Sequence, residues 1–411
     1  MMQRLSAFLM AAAMILGPPL GAQGLLGTGL PRLPDVGSLL DAPLATADGV
    51  LSGSAAQVGA VLRQARLDRL QLLVNNNRDF IERDMDGEPA RRGVLLLIDP
   101  DSATSAAIAA LGFGLASSET VDGLGLNITQ LTVPAGMSLA KAQKLLRKKV
   151  PTADITSDQL HFLSGAGGSG VSADAAIPPG SAVGVTIGII DGGAVQGVVA
   201  TRGFAQGAPI PSNHGSAVVS LAMRAGARRL LVADVYGTDR AGGSSLGIAN
   251  ALGWLVSNGA RVISISLVGP RNPLVERAVS AAQRRGVIVV AAVGNDGSFA
   301  PPSFPASYGG VLAITAVDAR NRVLIEAGRA AHVDYAAPGA GITAQDRNGH
   351  MVPVRGTSFA APLVAVRAAA ALGRGVPAQR ISAALDAEAR PISNRRPDPK
   401  SGRGLLCGVC R

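Results

Sequence analysis

Val262-Ile263-Ser264-Ile265-Ser266-Leu267 and Val287-Ile288-Val289-Val290-Ala291-Ala292-Val293 flank a helical segment from Leu274 to Arg285, and this succession decides the fold. Both runs are short, rich in β-branched residues and almost continuously apolar. A strand that shows one face to water alternates instead, so these two are expected to be covered on both faces. Pro273 lies just inside the start of the intervening helix and Gly286 just past its end, the positions where a fixed φ and a positive φ are favoured. Outward from this unit the same grammar repeats: Val185 to Ile190, Leu230 to Val235 and Val311 to Val317 read as strands, and Leu246 to Asn258 as a helix. Strands buried on both sides and alternating with helices imply an α/β fold with a doubly wound, mostly parallel sheet, whose functional groups gather at the carboxyl ends of the strands.

Upstream the pattern changes. Val94 to Ile98 reads as a buried strand, Ser105 to Leu111 as a helix, and Ala116 to Val121 with Leu126 to Val133 as strands around Asp122-Gly123. Ser138 caps a helix running to Lys149, and Ala153 to Phe162 closes the unit as a last strand. The order β-α-β-β-α-β predicts a ferredoxin-like α+β unit over residues 90–163. From Gln57 to Glu82 apolar residues recur near helical spacing among Arg and Asp, which predicts one or two amphipathic helices. Residues 23–89 are therefore read as a linker and a helical segment. Gly165-Ala166-Gly167-Gly168-Ser169-Gly170 lacks the lysine and helix start of a phosphate loop, so 164–180 is read as a flexible linker and 181–411 as the second domain.

The N-terminus has Arg4, an apolar run from Leu5 to Gly17 and the small-residue site Leu20-Gly21-Ala22, as a secretory signal peptide over 1–22 would. The run falls short of the roughly 20 residues needed to span a bilayer, so no membrane span is expected in the mature chain, which is read as exported to the periplasm or beyond. Cys407 and Cys410 are the two cysteines of the 411 residues, and in an oxidising compartment they could close on each other. The net charge of +10 comes from scattered arginines and aromatics make up only 3%, which argues against nucleic acid as a partner.

Three candidate catalytic groups fall at strand ends or helix starts. Asp191 follows Thr186-Ile187-Gly188-Ile189-Ile190 and precedes Gly192-Gly193, which lets the chain turn away. His214 stands at the entrance to the apolar helix of Asn213-His214-Gly215-Ser216-Ala217-Val218-Val219. Ser358 lies in Gly356-Thr357-Ser358-Phe359-Ala360-Ala361-Pro362, where unpaired N–H groups of a helix start can stabilise developing negative charge.

With Val293-Gly294-Asn295-Asp296-Gly297, these blocks resemble the subtilisin family of serine peptidases over roughly 181–411. The resemblance implies Ser358 as nucleophile, His214 as its base, Asp191 as the group that orients the base, and Asn295 as an oxyanion donor. It implies that a peptide adds as a strand between residues 239–244 and Ser266-Leu267-Val268-Gly269, with Ala292 and Gly294 lining the pocket for the side chain before the cut. It implies further that 90–163 is a prodomain acting as intramolecular inhibitor and folding aid, that the chain processes itself between Leu163 and Ala176, and that polypeptides are its substrates. Asp191 is followed by Gly where the family commonly has Thr or Ser, and the stretch from His214 to Val235 is short for the family's calcium loop. No metal or cofactor is expected. A catalytically silent peptide-binding relative is the alternative, although such proteins usually lose one of the four groups present here.

Overall fold

The computed structural model describes residues 55–164, 181–195, 197–395 and 397–407. Residues 1–54, including the expected signal peptide and linker, lie outside this set, as do 165–180 and Cys410; Cys407 is disulfide-bonded. The chain proceeds through α1 (Ala55–Asn76), β1 (Ile81–Arg83), β2 (Pro89–Ile98), α2 (Ser102–Ala110), β3 (Gly114–Val121), β4 (Leu126–Thr132), α3 (Leu139–Lys149), β5 (Ile155–Gln159) and β6 (Phe162–Leu163). Antiparallel pairing joins β3 to β4, β4 to β2 and β2 to β5, the strand order of a ferredoxin-like unit, with β1 added as a hairpin on β2. Asp101 and Ser138 cap α2 and α3 through hydrogen bonds from Thr104 N and Lys141 N. The continuous apolar run of β2 reflects burial on both faces: Leu95 and Leu97 pack under α2 and α3, while Leu96 and Ile98 face the second domain.

Two expectations are corrected here. The helical reading of Gln57 to Glu82 holds only to Asn76; the Asn77 side chain donates to the Leu73 carbonyl at 2.9 Å and ends the helix, and Ile81, 1% exposed, then starts a strand paired with Pro89–Arg91. β1 thus precedes the α+β unit expected over 90–163 and pairs with its first strand. Ala153 to Phe162 is not one strand. β5 stays in the first sheet, whereas His161 turns its N–H to the Gly243 carbonyl at 2.8 Å and β6 finds a partner in the second domain.

That domain continues with β7 (Ile187–Asp191), β8 (Ala200–Gly203), α4 (Asn213–Arg224), β9 (Leu230–Asp234), α5 (Ser245–Ser257), β10 (Val262–Ile265), β11 (Leu267–Val268), α6 (Pro273–Arg284), β12 (Ile288–Ala292), β13 (Leu312–Val317), β14 (Tyr335–Pro338) and, after a hairpin, α7 (Thr357–Gly373). Seven strands pair in parallel in the order β14-β13-β12-β10-β7-β9-β8. Successive residues of each strand supply opposite layers. Val262 and Val290 pack beneath α4 and α7, and Ile263, Ile265 and Val289 beneath α5 and α6. Each such buried aliphatic side chain contributes roughly 1.5–3 kcal/mol.

Helices α5 and α6 lie between the two sheets, and their outer surface is covered by Leu96, Ile98, Val121, Leu126 and Ile128. Polar caps fix the register of that contact. Leu246 N, in the first turn of α5, donates to Asp158 at 3.0 Å, and the Asn272 amide at the start of α6 reaches Thr156 Oγ1, Ser157 O and Gln159 Oε1 at 3.0–3.1 Å. A carboxylate at a helix N-terminus is favourable, and Arg91 completes its environment with Nε 3.4 Å from Asp158 and a second ion pair to Asp239.

Candidate active site

Three side chains distant in sequence converge at the carboxyl end of the parallel sheet. Asp191 ends β7, His214 lies in the first turn of α4 and Ser358 in the first turn of α7. His214 Nδ1 is 2.9 and 3.0 Å from the two Asp191 carboxylate oxygens, and Nε2 is 3.0 Å from Ser358 Oγ. Asp191 and Ser358 are fully buried and His214 nearly so, with Phe359 against the imidazole at 5.2 Å between centroids. Gly215 explains how α4 comes close enough. A methyl group there would stand 2.2 Å from the Gly192 carbonyl, so the helix presses its bare backbone on the chain leaving Asp191.

Around Ser358 the backbone is pinned from two sides. Asn295 Oδ1 accepts from Thr357 N at 3.0 Å, and Thr357 Oγ1 bonds both the N–H and the carbonyl of Gly294 at 3.0 and 3.1 Å. Pro362 sits inside α7 and has no N–H to return to the carbonyl four residues earlier, which is that of Ser358. The Ser266 hydroxyl takes that acceptor at 3.0 Å and ties the start of α7 to the end of β10. Sequence reading placed Ser266 beside a peptide and did not foresee this bond; the proline four residues after the serine was the signal.

The site is occupied by the chain itself. Residues 160–164 run between the two segments expected to receive a peptide. His161 N donates to Gly243 O, Phe162 and Leu163 pair antiparallel with Val268 and Leu267, and Ser164 N donates to Ser266 O at 3.0 Å. The Ser164 carbonyl then accepts from Ser358 N at 3.2 Å and from the Asn295 side-chain amide. An orphan N–H of a helix start and a side-chain amide thus converge on one carbonyl oxygen, beside the Ser358 hydroxyl. The His161 imidazole lies against Gly269, where a methyl group would approach its ring to 2.5 Å. The imidazole is completely buried, and among the described residues neither nitrogen has a hydrogen bond of good geometry, so burial pushes its pKa down to about 4; weaker interactions with the Gln159 and Gly243 backbone oppose this in part.

Of the other expected residues, Gly294 adjoins the strip and faces Val268, whereas Ala292 is fully buried in the core with α4 and α7. Helix α1 makes a contact that sequence reading missed. Arg66 and Arg69 pair with Asp296, Leu62 packs on Gly297, and the Phe299 ring rests on the bare backbone of Gly59.

Residues 205–384 match the model of the subtilase family, Peptidase_S8. These residues form a subtilase-family domain. The matched stretch contains His214, Asn295 and Ser358, and Asp191 lies just before it. Thermitase of Thermoactinomyces vulgaris is 32% identical over 183 residues, which are 44% of this chain and 64% of thermitase. Subtilisin BL of Lederbergia lenta is 37% identical over 141 residues, 34% of this chain and 52% of that protein. The chain thus spans between about half and two thirds of these two relatives. Among solved structures, fervidolysin from Fervidobacterium pennivorans, a keratinolytic enzyme related to subtilisin, superposes with a TM-score of 0.63 at 17% identity, covering 79% of this chain and 61% of that one. At that identity the likeness establishes the subtilase fold. Among the described residues no helix is long and apolar enough to cross a membrane.

Proposed function

We propose that this subtilase is an exported serine endopeptidase made as a self-processing precursor. The observation that carries the reading is the Ser164 carbonyl, held by Ser358 N–H and the Asn295 amide while Ser358 Oγ lies 3.0 Å from His214 Nε2. That is the arrangement of a peptide at the bond to be cut. Ser358 Oγ attacks the carbonyl carbon as its proton passes to His214 Nε2, and Asp191 holds the opposite nitrogen protonated and stabilises the imidazolium. The oxygen takes up negative charge where the two donors already point. Collapse expels the amine, which receives the proton from His214, and water repeats the sequence to free the acyl group from Ser358.

Residues 81–163 then serve as a prodomain, with α1 as an added segment. Its tail blocks the cleft after processing, and its docking on α5 and α6 aids formation of a parallel sheet whose strand pairings are far apart in sequence. The processing site is the bond after Ser164, inside the interval expected from sequence. Polypeptides are the substrates, and the residues resembling a signal peptide support export. The presence of all four groups in contact weighs against a silent binding protein. A serine-directed phosphonate tests the reading: the adduct is expected on Ser358 and lost in Ser358→Ala, whereas labelling of another residue, or none in the processed wild type, would contradict it.

A further inference from the structure

We propose that Val268, standing against Gly294, closes the pocket for the side chain before the scissile bond, so that the enzyme cuts after small residues such as serine. The inference rests on the peptidase reading and deepens it to a substrate class.

Ser164 marks the position in question, because its carbonyl meets Ser358 N and Asn295. Its side chain must lie between the segment 266–268 and the segment around Gly294. Directly opposed residues of an antiparallel pair direct their side chains to the same face, and Val268 is opposed to Phe162. Phe162 and Ser164 are two residues apart and share that face as well. The isopropyl group of Val268 is therefore on the side of the strip from which the Ser164 side chain leaves.

From there it reaches across to the other wall. A methyl group built on Gly294 would be 3.2 Å from Val268 Cγ1, closer than ordinary contact, so the valine already stands against the glycine backbone. Gly294 has φ +89°, a conformation that glycine adopts without strain and that permits this approach. Ser164 fits the narrowed space: it is 1% exposed, and its hydroxyl turns back to the same Ser266 carbonyl that accepts its N–H, at 2.9 Å. A leucine or phenylalanine at this place would have to displace the valine from between the strip and Gly294, and overpacking a filled site is unfavourable.

The test uses the full chain, expressed whole and allowed to process itself, with succinyl-Leu-His-Phe-Leu-Xaa-p-nitroanilides in which Xaa is Ser, Ala, Leu or Phe and the other residues copy 160–163. Wild type is expected to favour Ser and Ala over Phe in kcat/KM by about 10²-fold, within the range that fit in a pocket can give. In Val268→Gly the Phe-to-Ser ratio of kcat/KM is expected to rise about tenfold or more, and in Val268→Ala in the same direction by less. Because the readout is a ratio within one preparation, a partly folded variant does not mimic it. As a second arm, Ser164→Phe slows self-processing in the parent chain and Val268→Gly restores it. Comparable wild-type rates on Ser and Phe, or a smaller rise of the ratio in Val268→Gly, would overturn this assignment alone. Cleavage of none of the peptides would overturn the peptidase reading and the inference with it.

Discussion

Two contacts of the N-terminal unit with the surface around the candidate active site are built differently. Residues 160–164 attach through main-chain hydrogen bonds to Gly243, Ser266 and Ser358, and Ser164 is buried to 1% exposure. Helix α1 attaches through side chains: Arg66 and Arg69, 19% and 29% exposed, pair with Asp296, with Leu62 on Gly297 beside them. Both grips fall on neighbouring residues, since Asn295 binds the strip and Asp296 binds the helix. Main-chain pairing accepts many sequences and suits the proposed role of this cleft in receiving substrates. Partly exposed ion pairs accept one partner and are screened by salt, so under the proposed self-processing the helix is suited to holding the cleaved unit in place without entering the cleft.

Removing the donor that, in the proposed mechanism, the strip shares with substrates should have the largest effect. Asn295→Ala is expected to lower kcat by about 10²–10³-fold with a smaller change in KM, the magnitude known for the oxyanion asparagine of a subtilisin and carried over to Asn295 by analogy. Steady-state kinetics on one peptide decides, and a loss confined to KM would assign the amide to ground-state binding.

The next effect belongs to His161, which docks as a neutral imidazole. In the docked state its pKa lies near 4, against about 6.5 when free, so the docked state binds fewer protons. Attachment is then full above about pH 6.5 and weakens as pH falls from there toward 4, by about 30-fold at pH 5. Tyr236 faces it, its hydroxyl donating to the His161 carbonyl at 2.9 Å, and Asp158 and Asp239 nearby are joined by Arg91. Burial raises the Asp158 pKa, which acts in the opposite sense at lower pH. Comparison with His161→Phe cancels that contribution. The concentration at which half of the processed chain has lost its N-terminal fragment should rise about 30-fold more between pH 8 and pH 5 in wild type than in the variant. The same pH dependence in both would sink this account.

The helix contact should give the smallest change. Arg66→Glu with Arg69→Glu is expected to speed release of the cleaved unit by about 3–10-fold at low salt, with the difference shrinking in roughly 0.5 M salt as screening requires. A salt-independent difference would place the grip in Leu62 and Phe299 instead.

These differences follow what was legible in the sequence. Runs such as Val287 to Val293 announce strands buried on both faces, and Asp191, His214, Asn295 and Ser358 each stand at a strand end or helix start, where local sequence carries the signal. The contact of α1 with Asp296 has no such signal, because it joins surface residues 227 positions apart and obeys no period. Ala153 to Phe162 reads as one strand because its apolar pattern does not say which sheet each half will join. Nothing in the sequence around His161 announces its role, because its burial between Gly243 and Gly269 is a property of the docked unit.

The bond after Ser164 tests the central claim most directly. Wild type and Ser358→Ala, each made as the full chain in a host lacking its own periplasmic proteases, are compared by intact mass and by sequencing of new N-termini. The account predicts cleavage after Ser164 in wild type, independent of protein concentration because the bond is already at Ser358, and an uncut chain across this region in Ser358→Ala. Cleavage of the Ser358→Ala chain at the same bond would contradict it.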